Sequence, residues 1–93
     1  MTCVFCAIVA GEVPSSSVYA DDRVVAFMDL HPVTPGHLLV IPRTHAPTLG
    51  DLDPADASRM MTVAQELAEA LRASTVPTDG INLLLADGAV AGQ

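Results

Sequence analysis

Basic residues and aromatic rings are what this chain has least of. Four Lys plus Arg stand against eleven Asp plus Glu, a formal net charge of -7. No basic stretch is present to line a polyanion, which argues against nucleic acid as a partner. Aromatics make up 3% of the residues, so a core has to be built from Val, Leu, Ile, Ala and Met. No apolar run approaches membrane-spanning length, and the N-terminus lacks the basic region and long apolar stretch of a secretory signal. These absences predict a cytoplasmic protein with no membrane partner. The sequence holds only two cysteines, which in that compartment read as thiols or metal ligands rather than a structural disulfide. Internal repeats and low-complexity segments are missing too.

What is present suits one small core. Hydrophobic residues account for 51% of the 93 residues and charged residues for 16%, far from the polar, charged profile of a disordered segment. Residues 4–10 form a short apolar stretch closed by Gly11, which predicts one or two helical turns ended by a left-handed glycine. Residues 18–20 and 23–30 flank Asp21 and Asp22 as the arms of a hairpin. Within the second arm Val25, Phe27 and Asp29 share one face, and Val24, Ala26 and Met28 the other. A loop with two prolines and a glycine, residues 31–36, leads into the strongest strand, residues 37–42, which Pro42 ends. Asp53 caps and Pro54 opens one long helix. Its apolar stripe is predicted as Ala57, Met60, Met61, Ala64, Leu67, Ala68 and Leu71. Ser58, Arg59, Thr62, Gln65, Glu66, Glu69 and Arg72 take the opposite side. Residues 81–85 (INLLL) read as a further strand, and residues 86–93 as a turn.

The residues that could carry chemistry are few. Cys3 and Cys6 have the two-residue gap that lets both sulfurs reach one tetrahedral ion; they serve equally well as buried thiols. No strand precedes them, so the thioredoxin-like context is absent. His31, His37 and His45 flank the best strand, and His45, just past its end, is placed to join the cysteines. Asp29 reads either as an acceptor for ribose hydroxyls beside an apolar base pocket or as a solvated strand-end acid, and pattern alone favours the second. The glycines at 88 and 92 could cradle phosphate with backbone N–H groups or simply form a turn.

In order and spacing, four blocks resemble the histidine-triad (HIT) family: residues 3–14 (CVFCAIVAGEVP), 19–30 (YADDRVVAFMDL), 35–45 (PGHLLVIPRTH) and 80–93 (GINLLLADGAVAGQ). The resemblance implies an α+β fold, an antiparallel sheet of five strands in the family and about four here, with a short N-terminal helix and one long amphipathic helix. It also implies a homodimer that binds a purine nucleotide such as AMP. The expected chemistry is hydrolysis or transfer of nucleotidyl groups from nucleoside phosphoramidates or dinucleoside polyphosphates. Carried over by position, Phe5, Ile8, Phe27 and Leu30 line the base and sugar pocket, Asp29 binds the ribose hydroxyls, and Gln93 lies near the alpha-phosphate. Cys3, Cys6 and His45 match three of four zinc ligands in zinc-containing relatives.

Two departures qualify the resemblance. The family's His-x-His-x-His strand, whose middle histidine is the nucleophile, is expected a few residues after Gln93, so residues 1–93 read as a single domain incomplete at its C-terminus with no catalytic residue of its own. Ala86 stands where many relatives have an Asn that contacts the nucleotide. The alternatives are a non-catalytic nucleotide-binding or dimerisation remnant, and a zinc-stabilised structural module in which three ligands must offset a missing strand.

Overall fold

A computed structural model of the chain describes residues 3–12, 15–28 and 36–88. The sheet is built around β2, Val24–Met28, which pairs antiparallel with β1, Ser17–Ala20, on one side and β3, Leu38–Pro42, on the other. The register runs from Val24 opposite Pro42 to Met28 opposite Leu38. A shift between Ser17 and Tyr19 in the β1 pairing marks a local irregularity. Beyond Pro42 the pairing continues for one more bond, from Arg43 N–H to Arg23 O at 2.9 Å.

Both faces of β2 are covered, as the alternation of its side chains requires. Val24 and Ala26 pack with Val63 of helix α2, Pro54–Arg72, and all three have no exposed surface. Val25 and Phe27 pack on the other face with Ile41, beneath Phe5, Ile8 and Val9 of helix α1, Val4–Val9. Each fully buried valine contributes about 1.5–3 kcal/mol relative to an exposed one. Six residues are too few to hold a helix in isolation, so α1 is kept by this packing. It ends as read from the sequence, with Gly11 at φ +77 just past Ala10.

Helix α2 starts where the cap residues place it. Asp53 Oδ1 accepts the Ala55 N–H at 2.8 Å, with Pro54 in the first turn; such a cap stabilises by about 1 kcal/mol. The helix turns most of the predicted stripe inward, since all of its residues but Met61 are half-buried, and is rotated further toward Val63. Its buried line runs through Asp56, Met60, Val63 and Leu67, while Met61 is 61% exposed. Arg59, expected to face solvent, is half-buried over Tyr19. The predicted stripe covered one side of the helix and stopped short of Val63, which lies just past its edge at the i+7 position from Asp56.

A polar knot ties the β1–β2 turn to α2. Asp21 Oδ1 accepts the amides of Arg23 and Val24 at 2.8 and 2.7 Å. Its Oδ2 accepts the Tyr19 hydroxyl at 2.7 Å and Arg59 Nε at 2.6 Å. Arg59 also donates to the Tyr19 hydroxyl, Arg43 Nε donates to the Asp21 carbonyl, and Arg23 pairs with buried Asp56 at 2.8 Å. The Tyr19 hydroxyl first, then Arg59 and the two amides, hold the Asp21 carboxyl far below the usual carboxylate range.

Residues 81–85 depart from the sequence reading. No strand ladder includes them among the described residues, and Leu83, Leu84 and Leu85 are 62%, 90% and 64% exposed. An apolar run has strand character only when a neighbouring backbone satisfies its N–H and C=O groups, and β3 has only β2 beside it among the described residues.

Candidate functional site

Helix α1 brings two sets of residues together. Cys3 occupies its N-cap and Cys6 its first turn, while His45 lies three positions beyond the end of β3. Because α1 is seated on a cluster that includes Ile41 of β3, the two thiols meet the chain leaving that strand. The two sulfurs and one ring nitrogen of His45 all lie within 4.8 Å of one another, and Cys6 Sγ is 3.2 Å from His45 Nδ1. Tetrahedral zinc with ordinary bond lengths separates its ligand atoms by about 3.6 Å for sulfur to nitrogen and about 3.8 Å for sulfur to sulfur. The observed spacing therefore needs a movement of roughly 1 Å or less to close on an ion. The donor set, two sulfurs and an imidazole, is of the kind zinc selects. No fourth His, Cys, Asp or Glu joins the three among the described residues.

The two cysteines are electrostatically unequal. The Cys3 thiol is brought down to about 7, chiefly by the Cys6 amide that points toward its sulfur without closing a cap hydrogen bond, with partial burial opposing. Cys6 is pushed up, because its own S–H serves the Cys3 sulfur and is also partly desolvated. Of the two, Cys3 gives up its proton more readily.

The other face of α1 gathers three of the residues assigned to a base pocket. Phe5 and Ile8, both half-buried, pack on Phe27; the two rings have centroids 6.3 Å apart and planes inclined by 47°, within the range of favourable aromatic pairs. Phe27 is only 4% exposed, so it forms the floor of this surface, and the exposed area comes from Phe5 and Ile8. Asp29, Leu30, Gln93 and His31 lie outside the described residues. His37 immediately precedes β3 and is half-buried, and it is not part of the cysteine cluster. A groove of about 160 Å³ between Val18, Met28, Leu38 and Leu67 has no polar surface and so offers no group for chemistry.

Sequence reading did not single out the link between Asp87 and the loop after β3. Asp87 Oδ1 accepts the Leu49 N–H at 3.0 Å, at the start of a single 3-10 turn, Leu49–Asp51. Nothing local in the sequence signals this, since the partners are 38 positions apart. The Asp21 turn was legible in principle, because an Asp whose side chain accepts the N–H two residues on is a common turn device.

Comparison with known proteins gives a consistent result. An uncharacterized HIT-like protein of Borreliella burgdorferi is 44% identical over 98% of this chain and 66% of its own length. An adenylylsulfatase of Arabidopsis thaliana is 38% identical over 98% of this chain and 46% of its own. Among solved structures, a Zn-bound histidine triad family protein from Mycobacterium smegmatis superposes with a TM-score of 0.93 at 43% identity, covering the whole of this chain and 67% of that one. The chain spans a little under two thirds of the length of several curated relatives it matches. The sequence pattern of the HIT domain matches residues 10–93, and with relatives of this identity along nearly its full length the chain belongs to the HIT family.

Proposed function

We propose that the protein works as a homodimer that binds a purine nucleotide against α1. In the whole protein this site hydrolyses or transfers nucleotidyl groups. The observation that carries the reading is the double use of α1: the same six-residue helix directs Phe5 and Ile8 toward Phe27 and presents Cys6 to His45. A planar base needs an apolar wall with an exposed edge, and Phe5 with Ile8 supplies it. Phe27 is two positions before Asp29, the proposed ribose acceptor. Gly88, at φ +90 with open space about its Cα, suits a turn whose amides face phosphate oxygens.

Cys3, Cys6 and His45 fit zinc by donor type and spacing. The ion, when bound with a fourth ligand, supplies structural stabilisation rather than activation of water, since a closed tetrahedral site has no open position. His45 belongs to that set, so it is not the nucleophile. By resemblance the nucleophile is the middle residue of a His-x-His-x-His strand, a pattern the 93 residues do not contain. In the proposed reaction that imidazole attacks the alpha-phosphorus, the phosphorus–leaving-group bond breaks, and the leaving group takes a proton. Water then cleaves the nucleotidyl-imidazole and restores the free histidine. An adenylylsulfatase among the relatives supports nucleotidyl chemistry of this class.

Calorimetry and NMR with AMP test the reading, with light scattering reporting the mass of two chains. Binding is expected, weakened about tenfold or more by Phe5→Ala, the order of loss for one stacking wall. No heat and no shift changes at millimolar AMP would end the nucleotide reading. Binding without turnover of adenosine phosphoramidate by a polypeptide carrying the triad strand would leave a binding protein and remove the enzyme.

A further inference from the structure

Residues 81–88 take no part in a strand ladder among the described residues, yet two contacts hold the end of this segment. Asp87 Oδ1 accepts the Leu49 N–H at 3.0 Å. Just before it, Leu85 and Ala86 line a cleft of about 80 Å³ with Pro42, Leu49, Leu52 and Met60. Leu49 opens a one-turn 3-10 helix, whose first amides have no acceptor of their own, so a carboxylate there meets a real need. The same turn is closed by Thr48 Oγ1 donating to Asp51 Oδ2 at 2.9 Å. Four positions before Leu49 stands His45, 3.2 Å from Cys6. Residues 45–49 therefore connect a contact with the cysteine cluster at one end to a contact with the residue preceding Gly88 at the other.

Resting on the nucleotide reading above, we propose that Asp87 is a positioning residue. It pins the Gly88 turn to the loop that begins at His45, so that an ion held by Cys3, Cys6 and His45 and a nucleotide at the turn favour one another. Asp87 touches neither ligand in this scheme. It acts by fixing where the Gly88 backbone stands relative to α1, and any linkage it carries is reciprocal, with zinc raising AMP affinity by the same factor as AMP raises zinc affinity. Asparagine keeps an Oδ1 acceptor of the same reach, while alanine removes it.

The test compares the purified protein with Asp87→Ala and Asp87→Asn, with and without zinc. Hydrogen exchange at the Leu49 amide and AMP affinity are the two readouts. Asp87→Ala is expected to speed Leu49 exchange about five- to tenfold, the worth of one net hydrogen bond, to weaken AMP by a similar factor, and to abolish the effect of zinc on AMP affinity. Asp87→Asn should restore most of all three. Unchanged Leu49 exchange in Asp87→Ala overturns the tether whether or not any nucleotide binds. AMP affinity and zinc response equal to wild type in Asp87→Ala, in a protein that does bind AMP, overturn the positioning role while leaving the nucleotide reading intact.

Discussion

Zinc added to the reduced protein is expected to raise its unfolding temperature, and the size of the effect follows from where the ligands sit. Cys6 and His45 are 39 positions apart in sequence, one at the head of a helix too short to stand alone and the other past the far end of β3. An ion that needs both can bind only when α1 is docked on the sheet, so binding is confined to the folded state. At zinc a hundredfold above its dissociation constant, this linkage adds about 2.7 kcal/mol. A chain of 93 residues unfolds with an entropy of roughly 0.2 kcal/mol per degree, which converts the gain to a shift of about 10–15 °C. Circular dichroism melts with zinc, with magnesium and with chelator measure it directly. His45→Ala should lose most of the shift while leaving the metal-free melt nearly unchanged, because His45 is an exposed residue. An equal shift in His45→Ala, or with magnesium, would place the ion elsewhere and refute the three-ligand reasoning.

Two further expectations concern stability alone. Val63→Ala removes two buried carbons from a side chain with no exposed surface and is expected to cost about 2–3 kcal/mol in urea unfolding, transfer and cavity together. Met61→Ala, at a residue 61% exposed, should stay within about 0.5 kcal/mol of wild type, and the reverse order would overturn the helix orientation. Because the folded state holds the Asp21 carboxyl below its ordinary range, its stabilisation is whole above the unfolded value of about 4 and is lost as pH falls below it. Urea midpoints between pH 6 and pH 2 should therefore fall less steeply in Asp21→Asn, and an identical acid limb in both proteins would refute the assignment.

Elements whose signals are local were legible in the sequence. Gly11 ends α1 and the Asp53 and Pro54 pair opens α2 because capping is decided within four residues. The two faces of β2 were legible as well, since alternation fixes them once strand type is known. Where the signal needed a partner, reading stopped. Residues 81–85 have the composition of a strand but no ladder among the described residues, and composition carries no information about which backbone lies alongside. The α2 stripe was legible except at its edge. Met61 and Val63 lie at opposite edges of that side of the helix, and only contact with Val24 and Ala26 selects Val63 over Met61.

The candidate site divides along the same line. Cys3, Cys6 and His45 could be grouped from sequence because thiol and imidazole in that order resemble a known ligand set, and the fold brings their donor atoms within 4.8 Å of one another. Asp87 could not, since an acid followed by glycine is an ordinary turn until its acceptor is seen to meet Leu49. The structure also makes the two proposed activities interdependent in a way neither motif suggests. A six-residue helix presents cysteines with one side and Phe5 and Ile8 with the other, and cannot hold its place without tertiary contacts. Anything that loosens α1, whether loss of the ion or truncation of Phe27 beneath it, must therefore disturb Phe5 and Cys6 together, since both ride on one short rigid body.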